Sequence, residues 1–132
     1  MSVAQVVTLA SIIEKEAVMS SEKPIISSVF HNRLKRKMRL QSDPTAVYGI
    51  DGFRRKILSR DLKRDTPYNT YLYGGLPPGP ICNPGVKSIR AALWPSDTKY
   101  LFFVSKGNGS LYFSRSLSEH TNAIRSMASA NK

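Results

Sequence analysis

A chain of 132 residues is long enough for one packed domain and too short for two ordinary ones. Hydrophobic residues at 41% exclude a disordered polymer, no apolar run approaches the ~18 residues of a membrane span, and one cysteine, Cys82, excludes an internal disulfide or a cysteine-based metal cluster. Only His31 and His120 are present, so no histidine-rich metal site is expected, while a formal net charge of +11 points toward anionic partners: nucleic acid, lipid headgroups or cell-wall polymers.

No signal-peptide pattern is visible, and the chain is expected to be soluble. Residues 3–19 read as a helix. A second helix is expected from about Glu22 to Lys37, with Ser20 or Ser21 as N-cap and Pro24 in its first turn. Arg33–Arg39 (RLKRKMR) holds five basic residues, and Arg54, Arg55 and Lys56 form a second cluster; these are either polyanion contacts or solvated helix ends. Asp43-Pro44 predicts a cap and a short helix through Tyr48, and Ser59-Arg-Asp-Leu another capped turn. Residues 66–85 (TPYNTYLYGGLPPGPICNPG) have no helical period, and their prolines block a regular strand; the interspersed Tyr, Leu and Ile favour an ordered binding loop. Asn83-Pro84 predicts the start of a helix to about Leu93. YLFFVS and SLYFS around KGNG predict a β-hairpin, and Ser116 or Ser118 caps a final helix from about Glu119 to Ala128. The expected fold class is α+β: a helix-rich single domain with a C-terminal β-hairpin.

The first helix carries the most informative residue. At ~100° per residue, Met19, Ile12, Leu9, Ile13, Val6, Ala17 and Ala10 share one side, and Thr8, Ser11 and Lys15 form a polar strip away from its centre. Glu16 falls inside the apolar arc with Gln5 beside it, whereas Glu14 lies beyond the margin. An ionised carboxylate there costs desolvation energy, so its pKa should rise, as a general acid near neutrality requires. Lysozyme places its acid in this way. The structural alternative is a Glu paired with Arg33 or bonded to Gln5. Asp43 is accounted for as a cap, and no second carboxylate stands out as a nucleophile, which weakens a two-carboxylate glycosidase and leaves room for one residue acting first as acid and then as base.

LASIIEKEA, VFHNRLKRKMRLQSDPTAVYG, TPYNTYLYGGLPPGPICNPG and AALWPSDTKYLFFV, in this order, closely resemble the YceG-like family of endolytic murein transglycosylases (MltG) over nearly the whole chain. The resemblance implies cleavage of the β-1,4 bond between N-acetylmuramic acid and N-acetylglucosamine in peptidoglycan, leaving 1,6-anhydro-muramic ends without consuming water. It implies Glu16, the second Glu of the EKE segment, as the catalytic residue, and no metal or cofactor. Gln41, Ser42 and Asp43 match one family segment; Tyr68, Asn69, Thr70 and Tyr71 match another. Both groups are expected to bind acetamido groups and sugar hydroxyls. For Asp43 a purely capping role stands equally; Asn69 and Tyr71 are read as substrate-binding rather than as turn residues. Asn32 and Arg33 either orient Glu16 or simply pack.

The expected partners are glycan strands and cell-wall synthesis proteins, not nucleic acid, with anionic membrane or wall-polymer contact through Arg33, Lys35, Arg36, Lys37 and Arg39. The resemblance further implies action at the outer face of the bacterial cytoplasmic membrane. The family's N-terminal membrane helix and LysM-like region have no counterpart here, so residues 1–132 are expected to be a catalytic domain alone. Two positions depart from the pattern: Trp94 and Leu111 stand where relatives often have His. The competing readings are a basic nucleic-acid-binding module, a hydrolytic muramidase of similar fold, and a wall-binding module without activity.

Overall fold

The computed structural model describes residues 1–130. Five helices, α1 (Val3–Glu16), α2 (Lys23–Lys35), α3 (Asp43–Ala46), α4 (Val86–Leu93) and α5 (Leu117–Ala130), accompany one antiparallel hairpin of β1 (Phe102–Ser105) and β2 (Leu111–Ser114). The register pairs Phe103 with Phe113 and Val104 with Tyr112. The helix-rich α+β arrangement with a C-terminal hairpin is the one the sequence predicts.

α1 is the central element, packed on α2 and α4 and touching α3. Leu9, Ile12 and Ile13 from α1, Ile26 and Phe30 from α2, and Ala91 and Ala92 from α4 form the core with Leu40 and Ile81. Complete burial of each Leu, Ile or Phe contributes about 1.5–3 kcal/mol. Of the polar strip on α1, Lys15 is exposed but the two hydroxyl residues are not. Thr8 and Ser11 are buried, their hydroxyls donating to Ala4 O and Thr8 O, and Ser11 Oγ also accepts from Ile81 N at 3.0 Å. Residues 66–85 cover that side, and no period in α1 could announce a covering loop 70 residues away.

Several ends differ from expectation for local reasons. α1 stops at Glu16 rather than Met19, with Ala17 extended. Gln5 is not beside Glu16: it closes a capping box with Ser2 at the opposite end of α1. Ser20 and Ser21 form a 3-10 turn ahead of α2, so Glu22, not a serine, holds the N-cap position. α3 is shorter than expected, ending at Ala46. α4 opens after Gly85, two residues later than Asn83-Pro84 suggests, because Glu14 supplies its anchor: Oε1 accepts from Gly85 N at 2.7 Å and Ser88 Oγ at 3.1 Å. α5 begins at Leu117, with Ser116 Oγ accepting from Glu119 N as the capping signal predicts.

Candidate active site

The chain's turns bring Glu16, Gln41, Asp43, Tyr71, Arg33, Phe102 and His120 to one cleft of about 510 Å³. α1 fixes Glu16 as its last residue, so the backbone is rigid up to the carboxylate while the side chain faces the opening. Two residues beyond α2 stands a left-handed residue, Lys37 (φ 59°), whose following N–H, on Met38, bonds back to Arg33 O at 2.9 Å. This is a Schellman-type stop with Lys where Gly is usual. The chain then passes Leu40, buried in the core, and Gln41, again left-handed at φ 52°. Each such residue costs about 1–2 kcal/mol. At Gln41 that strain turns the chain so that Gln41 and Asp43 line the cleft while Ser42 points inward beneath Glu16.

Ser42 Oγ donates to Glu16 Oε1 at 2.7 Å. Although Ser42 occupies the N-cap position of α3, its hydroxyl is spent on Glu16 and not on the helix. Asp43 is therefore not the cap: it is the first residue of α3, and its Oδ1 accepts from Tyr71 Oη. Burial pushes the Glu16 carboxyl up from 4.5 to about 7; the Ser42 hydroxyl opposes this and the Asp43 charge adds to it. Near neutrality the group is thus half-protonated, and among the described residues no basic side chain pairs with it. Tyr71 is held well above its ordinary range, first by burial and then by Asp43, so it remains a proton donor.

Ser42 is itself seated by hydroxyls. Its N–H donates to Thr70 Oγ1 at 2.9 Å, Thr70 Oγ1 and Thr45 Oγ1 lie 2.8 Å apart, and Thr45 Oγ1 donates to Ser42 O at 2.6 Å. Thr70, expected to bind sugar, is instead buried in this network. Asn69, read from sequence as substrate-binding, is also corrected. It is fully buried, its amide donating to Leu62 O and Arg64 O and accepting from Tyr71 N, all within 3.0 Å. Both amide hydrogens and one lone pair of Oδ1 are committed to the loop's own backbone. Tyr68 packs against Tyr48, the rings tilted at 42° with centroids 4.5 Å apart, and does not line the cleft. Asn32 donates to Thr98 O and Tyr100 O, fixing the approach to β1 rather than Glu16. Of the binding residues named from sequence, Gln41, Asp43 and Tyr71 line the cleft with Glu16, while Ser42 acts through Glu16.

Arg33 is neither a partner of Glu16 nor part of a surface patch. It is 7% exposed, donating through Nε to Leu101 O at 2.6 Å and through Nη1 to Arg39 O and Leu40 O. Lys35, Arg36, Lys37 and Arg39 are exposed. In the second cluster Arg55 is bidentate to Asp61, at 2.7 Å for both bonds. Composition could not reveal the end of the cleft made by Phe102, Leu111, Leu117 and His120; the hairpin prediction located the strands but not the face they turn to Glu16. Trp94, one of the two positions lacking a family His, is exposed at the end of α4, whereas Leu111, the other, lines the cleft. Among the described residues no three His, Cys, Asp or Glu side chains converge as metal ligands, and no helix is long and apolar enough to cross a membrane.

The family model described as the YceG-like family matches residues 1–126. A Bacillus subtilis protein named endolytic murein transglycosylase is 48% identical over 122 residues, covering 92% of this chain and 34% of its own length. A Streptococcus pneumoniae protein of the same name is 32% identical over 126 residues, covering 91% of the chain and 23% of its own length. A crystal structure of a yceG-like protein from Listeria monocytogenes superposes with a TM-score of 0.85 at 48% identity, over 92% of this chain and 39% of the other. This chain therefore spans about a third of the Bacillus relative and about a quarter of the pneumococcal one. With the family model, the relatives and the fold in agreement, the chain belongs to the YceG-like family.

Proposed function

We propose that this chain carries the catalytic centre of an endolytic murein transglycosylase that cleaves peptidoglycan glycan strands without water. The observation that carries the reading is Glu16: a carboxyl with a pKa of about 7, seated by a serine hydroxyl at the wall of an open cleft and free of basic partners. The names of the Bacillus and pneumococcal relatives support the same activity.

Protonated Glu16 gives its proton to the oxygen linking muramic C1 to O4 of the next sugar. The C1–O bond breaks, its electron pair staying with the departing 4-hydroxyl, and positive charge develops at C1. The negative charge of Asp43 beside the cleft favours both a protonated Glu16 and a cationic sugar. The muramic C6 hydroxyl then attacks C1 and its proton passes to the Glu16 carboxylate. A 1,6-anhydro ring forms and Glu16 regains its proton. Gln41 and Tyr71 supply hydrogen bonds to hydroxyl and acetamido groups along the strand. Action at the outer face of a bacterial cytoplasmic membrane belongs to the same reading, as do contacts with wall-synthesis proteins and with anionic polymers through Lys35, Arg36, Lys37 and Arg39.

Mass spectrometry of the fragments released from purified glycan strands tests the proposal. Products at the mass of the 1,6-anhydro end are expected. Products heavier by one water would make the protein a hydrolase, and release of no fragment by the folded chain would remove the activity.

A further inference from the structure

The cleft has two ends of different chemistry. Glu16 and Asp43, with Ser42 buried beneath the carboxyl, form one. Arg33, Phe102 and His120 form the other, the guanidinium lying over the Phe102 ring at 5.0 Å and the His120 ring stacked on the same phenyl at 5.2 Å. Tyr71 lines the same cleft, bonded to Asp43, and feels the charges of both Glu16 and Arg33.

Arg33 is unusual among the chain's buried charges. The ion pairs of the described residues are Lys23–Glu14 and Arg55–Asp61, so Arg33 has no carboxylate to answer it. Three backbone carbonyls occupy Nε and Nη1. They hold the guanidinium rigidly but leave its full charge in a low-dielectric wall, where an uncompensated ion is costly. His120 beside it has its Nδ1 enclosed without a hydrogen-bond partner among the described residues. Burial first and the Arg33 charge second lower its pKa, so the ring adds no second positive charge to repel Arg33. A fixed cation without a carboxylate partner and an imidazole thus line the same cleft as Glu16.

We infer that the Arg33–Phe102–His120 end of the cleft recognises the acidic lactyl ether of muramic acid and so sets which of the two alternating glycosidic bonds reaches Glu16. This rests on the reading of the substrate given above. Along such a strand the two sugars share the acetamido group and the 6-hydroxyl, and the lactyl ether is the group that tells them apart. It presents a carboxylate on bare strands and an amide carbonyl where a peptide is attached. Either accepts from a guanidinium, the carboxylate more strongly. A reader placed at a fixed distance from the acid would admit the strand in one register and leave the other bond out of reach.

The test uses the full chain carrying Glu16→Gln, so that binding is measured without turnover, in 0.5 M salt to suppress attraction by the exposed lysines and arginines. Two tetrasaccharides of equal length are compared by calorimetry: one of alternating muramic acid and glucosamine with free lactyl groups, and one of N-acetylglucosamine alone. About tenfold tighter binding of the lactyl-bearing strand is expected, as one charge-assisted contact supplies, with a smaller preference for its peptide-bearing form. Arg33→Met should abolish the preference and Lys35→Gln should keep it. Should Arg33→Met not fold, His120→Phe, which retains the stack but removes the nitrogens, is expected to reduce the preference, and the comparison of the two sugars in the Glu16→Gln chain decides by itself. Equal affinity for the two tetrasaccharides overturns the inference, as does an undiminished preference in folded Arg33→Met. The parent chain, assayed on strands in parallel, separates the readings: if it releases no fragment, the proposed activity fails first, whereas cleavage with no lactyl preference sinks only the assignment of this end of the cleft.

Discussion

Glu14 and Glu16 lie two residues apart on α1, and their surroundings drive them in opposite directions. Glu14 turns to the start of α4, where Gly85 N–H, the Ser88 hydroxyl and Lys23 all donate to it; its pKa falls below 4.5, the Gly85 bond being the largest cause. Glu16 turns to the cleft, where one hydroxyl cannot offset burial and the neighbouring Asp43 charge, and its pKa rises to about 7. Helix position and residue type are nearly the same. The number of donors within reach decides which carboxylate is a structural anion at a helix N-terminus and which is an acid held in reserve.

The largest expected effect separates them outright. Glu16→Gln should lower strand cleavage by at least about a thousandfold, since the acid and the base of the proposed reaction are one group, while Glu14→Gln should retain most activity per folded molecule; equal losses in turnover assays would erase the contrast. Stability should reverse the order. Glu14→Gln removes a charge-assisted anchor and should cost about 1–2 kcal/mol in denaturant unfolding at pH 7. Because the folded pKa of Glu14 is depressed, that stabilisation is present above the unfolded value near 4.5 and is lost as pH falls through the folded one.

For Glu16 the sign is the other way. Its folded pKa lies above the unfolded value, so its contribution is fully present below about 4.5 and is lost as pH rises through about 7. Glu16→Gln should therefore be more stable than the parent at pH 8, by roughly 3 kcal/mol at most, and the two should converge near pH 4. A parent chain whose melting temperature does not fall relative to Glu16→Gln between pH 5 and 8 would contradict the raised pKa. Cleavage by the parent should decline along the same limb, because the first step needs the protonated form.

A smaller effect tests the seat of the acid. Ser42→Ala removes the one bond that favours ionised Glu16, so the alkaline limb of the pH–rate profile should move up by a fraction of a pH unit while turnover drops about tenfold. An unmoved limb would mean that the hydroxyl only packs.

Much of this was legible in the sequence, for identifiable reasons. The position of Glu16 on α1 follows from a 3.6-residue period that needs no tertiary information, and the hairpin from two β-rich runs around Lys106-Gly-Asn-Gly109. What the sequence hid depends on contacts distant along the chain. Asn69 has the composition of a sugar-binding residue, and only the folded 62–71 segment reveals that its amide is already spent. Arg33 sits in a basic run that reads as a surface patch, yet a helical turn places it inward while Lys35, Arg36 and Lys37 stay outside. Asp43 reads as a cap because Asp-Pro commonly is one; the left-handed Gln41 shifts the cap position to Ser42 and frees the carboxylate.

The network under Glu16 has one further consequence. Ser42, Thr45 and Thr70 are neutral hydroxyls, buried and bonded to one another and to backbone. Mobile ions screen charges but leave short neutral hydrogen bonds almost untouched. The Glu16 carboxyl is thus mounted on parts indifferent to ionic strength, although the chain's surface carries a strong net charge. In a medium whose counter-ion content varies, such as a polyanionic matrix, attraction of the protein to its surroundings would rise and fall while the geometry of the acid stayed constant. Capture and chemistry become separately adjustable: surface lysines can be gained or lost without retuning Glu16.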